Sequence, residues 1–313
     1  MTQVSLRRTP KSWGKRLLDN IRMHPWLYIM ILPAIAYFVV FHYAPMYGVI
    51  IAFQDYKPIK GIWGSPWVGL KHFQTFVEGP FFWRLIRNTL SINIGMLLFG
   101  FPLPIIFALL LNEVRSTAFR KVVQTVTYMP HFVSSVVVCA LMVIFCRSDG
   151  LLTSILSVFG MPQTNLLTVE QYFQPLYIGM NIWQELGWDS IIYFAGLTGV
   201  DASLYEAARV DGAGRWRQMW HITLPGISPT IVILLILRIG NLLSLGWDRI
   251  ILLYNDMVME TADVISTYVY RTGLVQVQYS YAAAVGLLNS LVNIVLLVSA
   301  NAISRKISDS SLW

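Results

Sequence analysis

One stretch of this 313-residue chain reads Glu206-Ala207-Ala208-Arg209-Val210-Asp211-Gly212 and, after nine further residues, Ile222-Thr223-Leu224-Pro225. The segment from Leu204 to Arg209, which overlaps the start of this stretch, consists of good helix formers. Asp201 or Ser203 can cap the N-terminus of that helix, because a short polar side chain accepts a hydrogen bond from a free backbone N–H. The sequence therefore predicts a short capped helix at this point.

The rest of the stretch predicts a turn and a second helix. Gly212 can adopt the positive φ that a tight turn requires. A second short helix, about Arg215–His221, is expected to end before Leu224-Pro225, where the next long helix starts. Two short helices on a compact loop form a rigid unit, which can transmit motion to a soluble partner. An amphipathic hairpin lying on the membrane surface is the alternative.

The composition on either side of this stretch is that of a membrane protein. Hydrophobic residues make up 56% of the chain and charged residues 12%, whereas a soluble domain has about 25% charged residues. The formal net charge is +7. The basic residues lie beside apolar runs and form no dense stripe with aromatic residues, which argues against a nucleic-acid partner. The composition indicates a protein in contact with membrane lipid.

Several apolar runs are long enough to cross a bilayer, which requires about 20 mostly apolar residues. The predicted spans are about Trp26–Phe41, Leu90–Leu111, Tyr128–Cys146, Leu176–Gly199, Ile227–Leu245 and Ala282–Ile303. Ala34-Ile35-Ala36 resembles a signal-peptidase site, but the apolar run continues past it, which favours an uncleaved anchor. The predicted fold class is all-α, a polytopic protein with six transmembrane helices.

The distribution of Lys and Arg predicts the orientation of these spans. If the N-terminus is cytoplasmic, the inner segments carry more basic residues than the outer ones, as the positive-inside rule requires. An even number of spans then places both termini in the cytoplasm. The predicted organisation is a cytoplasmic tail over 1–25, a transmembrane domain over 26–303 that includes a cytoplasmic loop over 200–225, and a cytoplasmic tail over 304–313.

The quoted stretch resembles the EAA loop of ABC importer permeases, whose pattern is E-A-A-x3-G-x9-I-x-L-P. Every fixed position matches, and the loop falls in a predicted cytoplasmic segment. In that family the loop holds the ATPase subunit. The resemblance implies ATPase-coupling roles for Glu206, Ala207, Ala208, Asp211, Gly212, Ile222, Leu224 and Pro225.

Three outer motifs are similar to permeases that import complex oligosaccharides, relatives of the larger maltose-type subunit. They are Phe41–Gly48, Val68–Phe73 and Asn88-Thr89-Leu90. The similarity covers most of the chain from about Trp26 to Ser304, but the extra N-terminal spans and the inserted periplasmic domain of the maltose subunit are absent. The resemblance implies a type I ABC importer permease in a bacterial cytoplasmic membrane.

The resemblance also implies a division of labour. A second permease subunit, often a different chain, completes the pathway. Two nucleotide-binding subunits bind ATP and Mg and hydrolyse the ATP. An external solute-binding protein delivers the substrate. This chain would then bind no cofactor and would not be an enzyme. Its sequence agrees, because it contains no G-x-x-x-x-G-K-[ST] phosphate loop.

Polar residues at helical spacing occur inside three predicted spans, where charges are costly and normally face a cavity or a partner. Each set is predicted to share one helical face: His131, Ser134 and Ser135 on the third span, Asn181, Gln184 and Glu185 on the fourth, and Arg238 and Asn241 on the fifth. By their distance from the EAA loop, these faces correspond to the region where maltose-type permeases hold sugar. The predicted substrate path consists of His131, Ser134, Asn181, Gln184, Glu185, Trp188, Arg238 and Asn241. Packing between helices is the alternative, including a Glu185–Arg238 ion pair. Asp189 is expected to pack helices or to form an outer gate.

The substrate is expected to be an oligosaccharide. Arg238 and His131 suggest an acidic one, such as a uronate oligomer of the alginate type, unless Glu185 neutralises Arg238. A peptide or amino-acid permease of the same superfamily and an ion-coupled transporter without an ATPase remain alternatives. No H-E-x-x-H or H-x-x-x-H spacing occurs, which argues against an intramembrane metallohydrolase and against a metal site.

Overall fold

The computed structural model describes residues 14, 20, 22–307, 311 and 312. Most of the predicted tail 1–25, and residues 308–310 and 313 of the predicted tail 304–313, lie outside these residues. In the described part the regular structure is helical, apart from an isolated antiparallel bridge between Gln54 and Trp67. The predicted all-α fold class is confirmed.

The described residues form twelve main helices, several of which contain short 3₁₀ or π segments. They are α1 (Pro25–Phe53), α2 (Lys71–Val77), α3 (Phe82–Glu113), α4 (Thr117–Phe132), α5 (Ser135–Cys146), α6 (Leu151–Val158), α7 (Glu170–Leu197), α8 (Ala202–Val210), α9 (Arg215–Gly240), α10 (Trp247–Leu253), α11 (Ile265–Tyr270) and α12 (Tyr279–Ile307). Shorter helical segments lie at Gly61–Gly64, Leu166–Thr168, Asp256–Val258, Met259–Ala262 and Arg271–Val275.

Four of the described helices, α1, α3, α9 and α12, are long and apolar enough to cross a membrane, and α4 with α5 forms a fifth candidate if that bent pair is one span. The helix α7 has 28 residues, enough for about 42 Å. It carries Asn181, Gln184, Glu185 and Asp189, whose polarity keeps it below the hydropathy of the other spans. The count of six spans stays a prediction.

The predicted third span is not one straight helix. The helices α4 and α5 meet at an angle of 98°, because Pro130 cannot donate a backbone hydrogen bond and Ser134 starts a new helix. The Ser134 hydroxyl accepts a hydrogen bond from the Val137 N–H at 3.4 Å, as an N-cap does. The prediction that His131, Ser134 and Ser135 share one helical face is therefore wrong.

The predicted boundary between the loop and the fifth span is also wrong. The helix α9 runs without a break from Arg215 to Gly240, so the second loop helix does not end before Pro225. A π turn over Met219–Thr223 precedes the proline, and this change of hydrogen-bond register accommodates the residue that has no N–H. Asn241 follows the last helical residue and belongs to the turn after it.

A close crossing of α4 and α7 brings His131 next to Glu185. Gly187 lies against the backbone of α4, and a Cβ at this position would collide with the Thr127 carbonyl oxygen. The absence of a side chain therefore brings the helices together at this point. His131, one turn beyond Thr127, consequently reaches Glu185, which lies two residues before Gly187.

Candidate substrate pathway and coupling loop

The predicted coupling loop has the expected first helix and turn. The helix α8 is capped by Asp201, whose carboxylate accepts a hydrogen bond from the Ser203 N–H at 2.9 Å. Hydrogen bonds from the backbone and side chain of Ser203 lower the pKa of Asp201. The charged cap therefore stabilises the loop above the ordinary carboxylate pKa, and its contribution is lost as the pH falls through the lowered value. Gly212 has φ +75° and ends α8 in a left-handed turn.

Side-chain hydrogen bonds fix the loop against the base of α9. The Tyr205 hydroxyl donates to Thr223 Oγ1 at 3.0 Å, and Gln218 Nε2 donates to the Ala213 carbonyl at 2.7 Å. The outer side of the loop has no such partners in the described chain. Val210 is 88% exposed and Leu204 51%. An apolar surface of this kind suits contact with another protein.

The predicted coupling residues divide by exposure. Glu206, Ala207, Asp211, Gly212 and Pro225 are exposed, whereas Ala208, Ile222 and Leu224 are half-buried. The exposed group is available to a partner, and the half-buried group packs the loop onto the spans.

An open cavity of about 430 Å³ lies between α3, α7, α9 and α10. We call it the polar chamber. Four predicted substrate-path residues line it, namely Asn181, Glu185, Arg238 and Asn241. Ser135, Asp189, Asp248 and Arg249 also contribute to its wall. Amide, hydroxyl, carboxylate and guanidinium groups thus converge on one space, and together they can donate to and accept from the hydroxyl groups of a sugar.

Glu185 is the centre of a charged network in the chamber wall. Its Oε1 accepts from Arg249 Nη2 at 3.0 Å and its Oε2 lies 2.6 Å from His131 Nδ1. Arg249 also donates to Ser135 Oγ at 3.3 Å and to the Asn181 side-chain oxygen. The network ties α10 to α5 and α7, so Arg249 fixes much of the polar wall.

Sequence reasoning missed Arg249, which it placed in an outer loop. In the structure α10 folds back against α5 and carries this side chain inwards. The available signal was the apolar run Ile250–Leu253 directly after it, since a charge next to buried apolar residues needs a partner. Ile250 and Leu253 are indeed buried.

The Glu185–Arg238 ion pair that the sequence offered as an alternative is not formed. Glu185 is paired with Arg249 and His131 instead. Within the described chain, the Arg238 guanidinium forms no salt bridge and no hydrogen bond. Its side chain is exposed to the chamber.

The other four predicted path residues, His131, Ser134, Gln184 and Trp188, have structural contacts. Trp188 stacks on the His131 ring with centroids 4.2 Å apart and an interplanar angle of 2°, so one face of its indole is already occupied. Gln184 is buried, and its Nε2 donates to the Val133 carbonyl at 3.0 Å across the α4–α5 bend. Ser134 caps α5. Gln184 and Ser134 do not line the polar chamber.

Comparison with known proteins identifies the kind of molecule to which this site belongs. Residues 100–309 match the family described as binding-protein-dependent transport system inner membrane component. The chain belongs to this family. It is a multi-pass inner-membrane permease, a transport component rather than an enzyme, and the family and fold that the EAA loop predicted are confirmed.

The relatives and the solved structures match this permease along almost its whole length. The polygalacturonan/rhamnogalacturonan transport system permease protein YteP of Bacillus subtilis is 49% identical, covering 97% of this chain and 95% of the relative. Protein LplB of the same organism is 45% identical, covering 96% and 95%. A crystal structure of a bacterial ABC transporter involved in the import of the acidic polysaccharide alginate contains a chain that is 45% identical, with a TM-score of 0.85, covering 93% of this permease and 99% of that chain.

A second crystal structure shows a bacterial alginate ABC transporter in complex with an alginate pentasaccharide-bound periplasmic protein. Its matching chain is 44% identical, with a TM-score of 0.86, and the match covers 95% of this permease and 100% of that chain. An external solute-binding protein is accordingly a partner of this type of system, as the family description also states.

Proposed function

We propose that this permease forms half of the translocation pathway of an ATP-driven importer for acidic oligosaccharides. Its relatives handle polygalacturonan, rhamnogalacturonan and alginate, which are polymers that contain carboxylated sugars. The observation that supports the proposal for this chain is Arg238, which lines an open polar chamber and whose guanidinium has no bonded counter-ion among the described residues. Guanidinium is the side chain best suited to bind a carboxylate, which it can do through two hydrogen bonds.

The pairing of Glu185 supports this proposal, while Asp189 and Asp248 also line the chamber. Glu185 would repel an anionic sugar if it were free, but Arg249 and His131 occupy both of its oxygens. The Asn181 amide is bonded to Arg249 and to the Tyr177 carbonyl, whereas the exposed Asn241 side chain offers a neutral amide that suits a hydroxyl group. Arg238 then binds the uronate carboxylate, while Asn241 binds a hydroxyl group of the sugar.

The proposal includes the partners and the orientation of the chain. A second permease subunit closes the open side of the polar chamber. Two ATPase subunits bind ATP and Mg and contact the exposed side of α8, and this chain binds no cofactor. Both termini lie in the cytoplasm, together with the loop 200–225 and the tails 1–25 and 304–313. The spans of the domain 26–303 change between outward-open and inward-open states as the ATPase subunits close.

Stimulated ATP hydrolysis tests this function. The complete transporter would be purified with its own binding protein and supplied with uronate oligosaccharides, neutral oligosaccharides of equal length, or peptides. We expect uronate oligosaccharides to stimulate ATP hydrolysis most strongly. Stimulation by peptides or amino acids alone would contradict the proposal, as would transport by this chain in vesicles without an ATPase.

A further inference from the structure

A second cavity of about 550 Å³ adjoins the polar chamber. It is lined by apolar residues such as Phe101, Ile192 and Leu234, and we call it the apolar chamber. On α7, Asn181 and Glu185 line the polar chamber, whereas Ile192 and Tyr193 line the apolar one. The apolar chamber therefore lies closer to the end of α7 that leads to the coupling loop.

Two other helices give the same order. On α3, Asn93 faces the polar chamber and Pro104 the apolar one, and α3 runs towards the coupling-loop end of the molecule. On α9, which runs the opposite way, Leu234 faces the apolar chamber and Asn241 the polar one. Three helices thus place the chambers in series along the direction in which a substrate must move.

The boundary between the chambers carries two opposite charges. Gly100, Asp189 and Arg238 line both cavities, one residue from each of the three helices. Gly100 adds no side chain, so Asp189 and Arg238 determine the chemistry of the passage. An anionic group that leaves the polar chamber has an apolar wall ahead of it and needs a cation at this level.

Asp189 and Arg238 both line the boundary between the chambers. Glu185 and His131 are bonded to each other. In the described chain neither Asp189 nor Arg238 takes part in a salt bridge. The two opposite charges thus line the same open space, and the Arg238 guanidinium remains accessible to another anion.

We propose that Asp189 is the counter-ion that a substrate carboxylate displaces from Arg238 as an acidic oligosaccharide passes between the chambers. The inference rests on the proposed function and goes beyond it by assigning a specificity role to Asp189. In the empty permease Asp189 compensates the charge of Arg238. When a uronate arrives, its carboxylate and that of Asp189 compete for the Arg238 guanidinium. This competition keeps the affinity for the acidic sugar low enough for release. A neutral sugar has no carboxylate to displace Asp189, so its affinity does not depend on this exchange.

Substrate binding to the purified complete transporter, without binding protein, tests this role. The probes are a fluorescent uronate oligosaccharide and the same oligosaccharide with its carboxyl groups reduced to alcohols. Asp189→Asn removes the competitor, so we expect the acidic probe to bind about three- to tenfold more tightly and its import to slow down. Binding of the reduced probe should not change. Asp189→Glu keeps the competing charge, so its affinity for the acidic probe should lie closer to that of the wild type than the affinity of Asp189→Asn does. The double variant of Asp189→Asn with Arg238→Gln should match Arg238→Gln alone.

Glu170→Gln is the matched control, because this exposed carboxylate lies on the same helix but lines neither chamber. Unchanged affinity of Asp189→Asn for the acidic probe would overturn the inference, and so would equal tightening for both probes. If the wild-type transporter neither bound nor imported any uronate oligosaccharide, the proposed function itself would fail, and the inference with it.

Discussion

Arg249 is the residue on which the polar chamber most depends. It contacts Glu185, Asn181 and Ser135 from a helix that follows the fifth predicted span. Its side chain is 19% exposed and that of Glu185 25%, so the ion pair is largely removed from water. Breaking such a pair from one side costs more than the pair contributes, because the remaining charge has no partner.

Replacing Arg249 should therefore destabilise the permease, and removing the remaining charge should restore it. We expect Arg249→Gln to cost about 1–3 kcal/mol, which is below the value for a fully buried pair because both partners keep some contact with water. Arg249→Gln with Glu185→Gln should recover most of the loss. Thermal unfolding of the solubilised complex measures both variants.

Arg87→Gln provides the control for this comparison. Arg87 pairs with Glu260 at 3.1 Å, but the two side chains are 62% and 51% exposed. An exposed pair contributes less than about 1 kcal/mol, so this variant should unfold almost as the wild type does. Equal losses of stability for Arg249→Gln and Arg87→Gln would show that the network in the chamber wall contributes no more than an exposed ion pair.

The sequence predicted some chamber residues and missed others for a physical reason. Asn181 and Glu185 lie one turn apart on a long helix, so helical spacing alone placed them on one face. Arg238 was predicted on the opposing helix. Arg249 could not be predicted in the same way, because its position depends on how α10 packs against α5. Spacing along one helix does not contain that information.

At the scale of elements, the break between α4 and α5 and the continuity of α9 are the features that sequence reasoning missed. Both regions contain a proline, Pro130 or Pro225, and the rule that proline ends a helix gave the wrong result at Pro225. A π turn keeps α9 continuous there. At Pro130 a 3₁₀ turn and the Ser134 cap bend the chain instead. Local hydrogen bonding decides between these outcomes, and propensity does not.

The turn at Gly212 should be essential for the coupling loop. Gly212 has a φ of +75°. Proline cannot adopt this angle, because its ring fixes φ near about −65°. We expect Gly212→Pro to leave the chain inserted but to reduce retention of the ATPase subunit about fivefold or more, because forced backbone strain costs about 1–3 kcal/mol. Pull-down of the ATPase subunit from membranes measures the effect.

Gly214→Pro is the control for Gly212→Pro, because Gly214 has φ −69°, which proline can adopt. It should retain the ATPase subunit better than Gly212→Pro does. Recovery of the ATPase at the wild-type yield with Gly212→Pro, together with normal transport, would argue against a coupling role for the turn.

At the scale of the whole molecule, α9 connects the coupling loop to the boundary between the chambers. It contains 26 residues and is therefore about 39 Å long. Arg215 lies at the loop end of this helix and Arg238 near its other end. A tilt of the loop would move Arg238 relative to Asp189 on α7. One helix can therefore couple closure of the ATPase subunits to the strength with which Arg238 binds a substrate carboxylate.

The proposed orientation predicts which surfaces an impermeant thiol reagent can reach. Cys139 and Cys146 are buried and would first be replaced by Ala. A cysteine in place of Ile59, which is 100% exposed, should be labelled from outside intact cells. A cysteine in place of Gly214, whose added Cβ meets no atom within 4 Å, should be labelled only after the membrane is opened. The reverse pattern would invert the orientation and place the loop away from any cytoplasmic ATPase.

The central claim is that Arg238 meets the negative charge of an acidic substrate. Uptake into proteoliposomes containing the complete transporter, ATP inside and loaded binding protein outside, tests it most directly. The Arg238→Gln variant would be compared with the wild type for one uronate oligosaccharide and for its carboxyl-reduced counterpart. We predict at least about a tenfold loss for the acidic sugar, as expected for a lost charge-assisted hydrogen bond, and little change for the reduced one. An equal loss for both sugars would contradict the account and would make Arg238 a structural residue.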